Sequence, residues 1–209
     1  MPATTEEMLE PLRPHLPADT LHLVADLFAP YDVAIKISRP RSTKLGDYRP
    51  PYREKGHRIS VNRDLNQYSF LITLIHELAH LIIWEEHKNK VKPHGEEWKG
   101  RFRESLLPFV SRKVFPPSLE EALANYLANP KATSCSDSNL MKALREFDAP
   151  SELVMLEDLP ESSIFVLHGK RIFVKGKKLR KRYRCMEVHS RKQYLIHQLA
   201  EVRPMEDPA

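Results

Sequence analysis

The most constraining feature of this sequence is a long apolar period between residues 66 and 87. Apolar side chains recur there at steps of three and four residues, which predicts one long and largely buried α-helix. Three polar side chains, His76, Glu77 and His80, interrupt the apolar run. Burial of such groups is costly unless they are bonded or bind a ligand, so the pattern predicts a function for them. The apolar positions are Phe70, Leu71, Leu74, Leu78, Leu81 and Ile82.

The three polar residues belong to the segment HELAH, residues 76–80. Side chains at positions i and i+4 lie one turn apart on the same face of a helix. His76 and His80 can therefore reach one Zn²⁺ at about 2.0–2.1 Å. Glu77 points about 100° away around the axis, where it can take a proton from a water on the metal. A chance match is the alternative, but a chance motif has no reason to lie on an apolar helix.

A catalytic zinc needs a third protein ligand and one open position. His94 is the better candidate, because it follows a break in the helical pattern and the chain can turn back to the metal. Glu97, on the next predicted helix, is the rival ligand, and His57 is a weaker candidate without a spacing argument. His87 shares the helical face but lies seven residues beyond His80, about 10 Å along the axis, and is excluded.

Composition and periodicity predict an α+β fold in two parts. Residues 1–150 form the main domain, and residues 151–209 form a linker and a basic C-terminal β region. The other predicted helices are a short one opened by a capping box at Thr4–Glu7, then 18–28, 96–107, one opened by a second capping box at Ser118 and Glu121, and 139–147. Strands are predicted at 31–38, 57–61, 163–167, 171–174, 183–188 and 193–202, with a loop or an irregular edge at 40–56 and the linker at 150–160.

The positive charge of the chain is concentrated near its end. Between Ser163 and Gln193 there are eleven Lys or Arg and one acid, Glu187, while the whole chain carries a net charge of +5. A basic end on an acidic body indicates a polyanionic partner. Phe173, Tyr183 and Tyr194 are interleaved with the cations and could stack on bases, or they could form the core side of a solvated sheet. The predicted nucleic-acid contacts are Lys175, Lys177, Lys178, Arg180, Lys181, Arg182 and Arg184.

Several other residues are weaker candidates. Arg41, Lys44 and Tyr48 precede the strand at 57–61 and could flank a substrate cleft, although charged loop residues are more often solvated. Trp98 is expected to pack beneath His94. The sequence indicates no stabiliser of a transition state other than zinc.

HELAHLIIW followed by PHGEEWK, with His94 fourteen residues after His80, resembles the SprT/Spartan metallopeptidase family. The resemblance spans residues 31–109 and, more loosely, 153–202. It implies a zincin-like domain in residues 1–150, one zinc on His76, His80 and His94, and Glu77 as general base. It also implies proteolysis of DNA-bound or DNA-crosslinked proteins, with DNA as activator. Many bacterial members end in a four-cysteine zinc ribbon, of which only Cys185 is found here, so no second zinc is expected.

Three functions follow as hypotheses. The first is a zinc endopeptidase that acts on DNA-associated or DNA-crosslinked proteins and binds DNA without sequence specificity. The second is a zinc-containing nucleic-acid-binding module with little peptidase turnover, which the intact Glu77 disfavours. The third is a peptidase or amidase unrelated to nucleic acid. Only two cysteines occur, no apolar run approaches about 20 residues, and no signal-peptide pattern opens the chain, so a cytoplasmic setting without a membrane partner is expected.

Overall fold

The computed structural model describes residues 4–41, 43–130, 137–167 and 169–205. The chain divides into two compact units, Met1–Asp148 and Ala149–Ala209, each with its own hydrophobic core. Helices and a small sheet form the first unit, and a larger antiparallel sheet forms the second. The predicted α+β class is therefore confirmed. No helix formed by the described residues combines the length and the apolarity that a bilayer crossing needs.

The first unit surrounds one long helix with shorter helices and three strands. Its elements are α1 (Thr5–Leu9), a 3₁₀ helix (Glu10–His15), α2 (Leu21–Phe28), β1 (Val33–Ser38), β2 (Gly46–Arg49), β3 (His57–Asn62), α3 (Gln67–His87), α4 (Glu96–Ser111), α5 (Pro117–Ala128) and α6 (Ser138–Arg145).

Helix α3 is the predicted central helix. Asn66 caps it, because its side chain accepts hydrogen bonds from the backbone N–H groups of Tyr68 and Ser69, which have no partner within the helix. The amide of Asn66 also donates to the carbonyl of Leu144, 2.9 Å away, and so ties the start of α3 to the end of α6. The predicted apolar positions are fully buried except Ile82, which is partly buried.

The three-stranded sheet has the order β1-β3-β2, with β1 parallel and β2 antiparallel to β3. His57, Ile59 and Val61 of β3 are buried, whereas Arg58 and Ser60 point to the opposite face. Strand β2 is an edge strand within residues 40–56, for which the sequence left a loop or an irregular edge open. Its sequence, GDYR, has no apolar alternation because one face packs on α3 with only glycine and tyrosine.

Some predicted boundaries also need correction. The capping box at Thr4 and Glu7 is present, but the one predicted at Ser118 and Glu121 is not. Helix α5 begins instead at Pro117 after Pro116, because proline lacks the N–H that a first-turn residue leaves unpaired. Helix α4 continues to residue 111 rather than 107.

The second unit is a six-stranded sheet of the order β4-β9-β5-β6-β7-β8, in which all neighbours are antiparallel. Its core is apolar and contains Cys185 as a buried thiol, while Cys135 lies outside the described residues. The described part of this unit has no group of three potential ligands that could hold a metal. The strands are β4 (Val154–Met155), β5 (Ile164–Leu167), β6 (Arg171–Leu179), β7 (Arg182–Glu187), β8 (Gln193–His197) and β9 (Glu201–Pro204).

The predicted linker at residues 150–160 is wrong over its second half. Strand β4 pairs with β9, and Leu156 is fully buried in the core of the sheet. The backbone N–H groups of Leu156 and Glu157 donate to the carbonyls of Ala200 and Gln198. A strand of two residues is too short to show an alternation of apolar and polar side chains. The flanking prolines therefore led to the prediction of a linker.

Candidate metal centre

Three histidine side chains converge on one point of the first unit. His76 and His80 project from α3, and His94 comes from the turn before α4. The Nε2 atom of His94 lies 2.9 Å from that of His80 and 3.3 Å from that of His76. Among the described residues, these three histidines form the one group of side chains that is close enough together to hold a metal ion. Glu97, the rival ligand, and His57 are not part of it.

The backbone at His94 is held in an unusual conformation. Its φ of +57° lies in the left-handed region, which costs a non-glycine residue on the order of 1 kcal/mol or more. Trp98, fully buried, packs its ring against all three imidazoles, at centroid distances of 4.5, 5.3 and 4.8 Å. The predicted packing role of Trp98 beneath His94 is confirmed, and this packing helps to hold the turned-back imidazole in place.

The electrostatics keep the three imidazoles neutral. Burial, and secondly the charge of the neighbouring histidines, lower the pKa of His76 to about 2 and that of His80 to about 4. Burial also lowers the pKa of His94. Neutral imidazoles have a free lone pair for a metal, and two nitrogens at the corners of a tetrahedral zinc site lie about 3.3 Å apart. The distances between the Nε2 atoms are close to this value, so the three residues fit a zinc ion.

Glu77 lies beside this cluster on the same helix and is buried. Burial, and secondly the nearby charge of Asp47, raise the pKa of Glu77 to about 7. The backbone N–H of Tyr48 donates a hydrogen bond to the carboxylate, which opposes this increase. Strand β2 therefore holds the carboxylate in one place, as a general base requires.

Gly46 allows this close approach of β2 and Glu77. A Cβ atom at residue 46 would lie 2.4 Å from Oε1 of Glu77 and 2.8 Å from Cγ2 of Thr73. Any other residue would therefore displace the carboxylate or the strand. Sequence analysis missed Gly46, since its only sequence signal is a glycine before an acid in a segment read as loop.

A cleft of about 200 Å³ opens beside the histidines and is lined by His80, His94 and Tyr48, among others. The hydroxyl of Tyr48 lies 2.9 Å from Nδ1 of His57, and Nε2 of His57 lies 2.7 Å from Oε1 of Glu85. A ring that donates from Nε2 to the carboxylate accepts the tyrosine proton at Nδ1. The weak ligand candidate His57 thus serves to fix Tyr48 at the wall of the cleft.

The basic residues predicted to bind nucleic acid lie in the second unit, around the turn between β6 and β7. Lys175 is a correction, because its buried ammonium group donates to the carbonyls of Glu157 and Leu159 and cannot reach a phosphate. The aromatic side chains of Phe173 and Tyr183 are also buried, so they belong to the core and do not stack on bases. Six residues of the prediction are exposed: Lys177, Lys178, Arg180, Lys181, Arg182 and Arg184.

Comparison with known proteins finds a similarity to one family over the part of the chain that contains this centre. The model of the SprT-like family matches residues 20–106. The chain is similar to Protein SprT of Cronobacter sakazakii, with 41% identity over 61 residues that make up 29% of this chain and 36% of the relative. Protein SprT of Escherichia coli is 34% identical over 76 residues, 36% of this chain and 44% of the relative. The matches thus span less than half the length of these curated relatives. No solved structure matches the chain.

The family match includes every residue of the candidate centre. His76, Glu77, His80 and His94 all lie between residues 20 and 106, as do Gly46 and Tyr48 of the adjacent strand. The family match and the geometry therefore fall on the same stretch of the chain, which is similar to the SprT-like family.

Proposed function

We propose that this protein is a zinc-dependent endopeptidase that cuts proteins associated with DNA or crosslinked to it. The observation that carries the proposal is the convergence of three neutral imidazoles next to a buried carboxylate. The Nε2 atom of His94 lies within 3.3 Å of the Nε2 atoms of both His80 and His76. Three histidines with one open position are a common ligand set of catalytic zinc, and the match to the SprT-like family supports a metallopeptidase-like domain.

Each residue of the centre would have a distinct role in peptide hydrolysis. Zinc on His76, His80 and His94 would supply a water of lowered pKa and polarise the peptide carbonyl. Glu77 accepts a proton from the attacking water and passes it to the leaving amine. The N–H of Tyr48 and the space at Gly46 keep the carboxylate of Glu77 oriented toward this task.

The edge of the small sheet favours a polypeptide as substrate. Strand β2 is the last strand of the sheet, and no other described strand pairs with its outer edge. It also borders the cleft through Tyr48. An extended peptide can pair with such an edge through its backbone, which would bring a peptide bond to the metal.

The link to DNA is supported by the exposed cations of the second unit. Strand β6 ends at Leu179 and β7 begins at Arg182, so Arg180 and Lys181 form the turn between them. Phosphate contacts from such a turn would give binding that depends on salt and not on sequence.

The deciding experiment compares the zinc-loaded protein with its Glu77→Gln variant in cleavage of a DNA-bound protein, with and without single-stranded DNA. The variant keeps the size of the side chain but cannot accept the proton. It should retain zinc and lose hydrolysis by about 10²-fold or more.

Each alternative predicts a different result. Zinc binding without any cleavage by the parent would favour the nucleic-acid-binding module. Cleavage that DNA does not change would favour a peptidase or amidase unrelated to nucleic acid. Cleavage by Glu77→Gln at the parent's rate would show that Glu77 is not the base.

A further inference from the structure

The solvent face of the three-stranded sheet forms a second basic surface, in the first unit and on the side of the sheet that α3 does not cover. A cleft of about 440 Å³ opens there, and residues from all three strands line it. Four cations meet a single acid in this cleft. They are Lys36, Arg41, Arg49 and Arg58, with Asp47.

The register of the sheet places like charges against each other. Arg49 of β2 is the direct antiparallel partner of Arg58 of β3, and like charges directly opposite each other destabilise a sheet. Arg58 has no carboxylate partner among the described residues, and its buried Nε makes no hydrogen bond. Arg49 is paired with Asp47, whereas Arg58 donates to the neutral carbonyl of Pro50, so the positive charge of Arg58 remains open to an anion.

The other groups of the cleft leave its charge unneutralised. Asp47 already has two partners, Lys44 at 2.7 Å and Arg49 at 2.8 Å. Lys36 is exposed and has no ion pair within the described part of the chain. The carboxylate of Asp47 is therefore already neutralised by its two partners, and the cleft keeps a net positive charge.

Arg41 is held ready for a ligand. Its Nε donates to Oδ1 of Asn62 at 2.8 Å and its Nη1 to Oγ of Ser60 at 3.1 Å. Neither partner is charged, so the guanidinium group is oriented but not neutralised. Its Nη2 also donates to the carbonyls of Leu45 and Ser60 at 3.5 and 3.4 Å, so Arg41 offers an anion an oriented positive charge and not a free pair of N–H donors.

We propose that this basic cleft binds the phosphodiester backbone of a nucleic-acid strand. Arg49 and Arg58 are direct partners on strands about 4.8 Å apart, and Lys36 is the partner of Ser60, two residues further along β3. The cations therefore lie diagonally across the sheet, where a flexible nucleic-acid strand could place successive phosphates. The lining contains no aromatic ring, which predicts contacts with phosphates and no stacking on bases. Strand β2 would then carry Arg49 in this cleft and Tyr48 in the metal cleft, on its two faces.

The test measures binding only, so it does not depend on the proposed peptidase activity. The full-length chain would carry Lys177, Lys178, Lys181 and Arg182 changed to Gln, to reduce binding by the second unit. Fluorescence anisotropy with a labelled single-stranded oligothymidine would follow affinity from about 0.05 to 0.2 M salt. With about three phosphates contacted, log K should fall against log[salt] with a slope of about −2.

In this background the double variant Lys36→Gln/Arg58→Gln should bind at least fivefold more weakly and with a slope of about −1. The matched control is Lys90→Gln/Lys113→Gln, which removes two exposed cations of the same unit outside the cleft. It should leave the affinity unchanged. Thermal melting and zinc content should be the same in both variants, which separates a lost contact from a damaged fold.

The proposal is overturned if the two double variants bind the oligonucleotide equally well. Two competitors identify the source of the anion. Poly-glutamate that displaces the oligonucleotide as well as unlabelled DNA of equal charge would point to an acidic peptide and overturn the assignment. Tripolyphosphate that binds more tightly than DNA would make the ligand a free polyphosphate and overturn the nucleic-acid part.

Discussion

At the scale of single residues, we expect His94 to decide whether the centre holds a metal. The other two proposed ligands are fixed by a helix that the core surrounds, whereas His94 reaches the site from a strained turn. We expect about one zinc per chain, and His94→Ala should lose most of it. The fold should survive, because the half-exposed turn adds little to the core. Elemental analysis and circular dichroism of the purified variant provide the measurement.

The alternative ligand would give a different outcome in the same experiment. Full zinc occupancy in His94→Ala would mean that another group completes the site, and Glu97 on the first turn of α4 would be the next candidate. A His94→Ala/Glu97→Ala double variant would then lose the metal that the single variant retains.

At the scale of secondary-structure elements, strand β2 positions the proposed base, and Gly46 is the point of closest contact. In Gly46→Ala the new methyl group would meet Oε1 of Glu77 at 2.4 Å. We expect zinc content to stay near that of the parent while cleavage falls about tenfold or more, since a displacement of about 1 Å in a catalytic group can cost about 10²-fold.

The chain offers a matched control for this substitution. Gly100 lies within α4, and a Cβ atom there would meet nothing within 4 Å. Gly100→Ala should keep full activity and stabilise the helix by about 0.4–1 kcal/mol, measured as a rise in the melting temperature. Equal activity of Gly46→Ala and Gly100→Ala would show that β2 does not hold Glu77.

The elements also show which parts of the fold could be predicted from sequence. Helix α3 and its HELAH segment have a strong 3.6-residue period and a polar interruption, so both were predicted with their residues. Strand β2 was missed, because its structure depends on pairing with β3 and on a tertiary contact with Glu77. The same holds for β4, whose two residues pair with a strand distant in sequence.

For the site, the sequence predicted groups that share one helix or one motif and missed groups that only the fold brings together. His76, Glu77, His80 and His94 were named from spacing and resemblance. The position of the Tyr48 hydroxyl could not be predicted, since it bonds to His57 of β3, which is held in turn by Glu85 of α3. Lys175 was assigned wrongly, because a count of charges does not show which lysine points into the sheet.

At the scale of the whole molecule, the two compact units are expected to divide the functions of catalysis and binding. Each has its own core, so a change of surface charge in the second unit should not alter the zinc site of the first. The exposed turn between β6 and β7 should provide much of the nucleic-acid affinity. With about four to six phosphate contacts, log K should fall against log[salt] with a slope of about −3 to −5.

Reversal of Lys177, Lys178, Lys181 and Arg182 to Glu should flatten this slope and weaken DNA binding more than tenfold, measured by anisotropy at about 0.1 M salt. Zinc content and basal cleavage of an unstructured peptide should persist, while stimulation by DNA should disappear. The control reverses four exposed cations at the opposite end of the same sheet and makes an equal change in net charge. If both variants bind DNA more weakly to the same degree, the overall charge of the protein, and not the turn, attracts the DNA. The four control positions are Lys170, Arg191, Lys192 and Arg203.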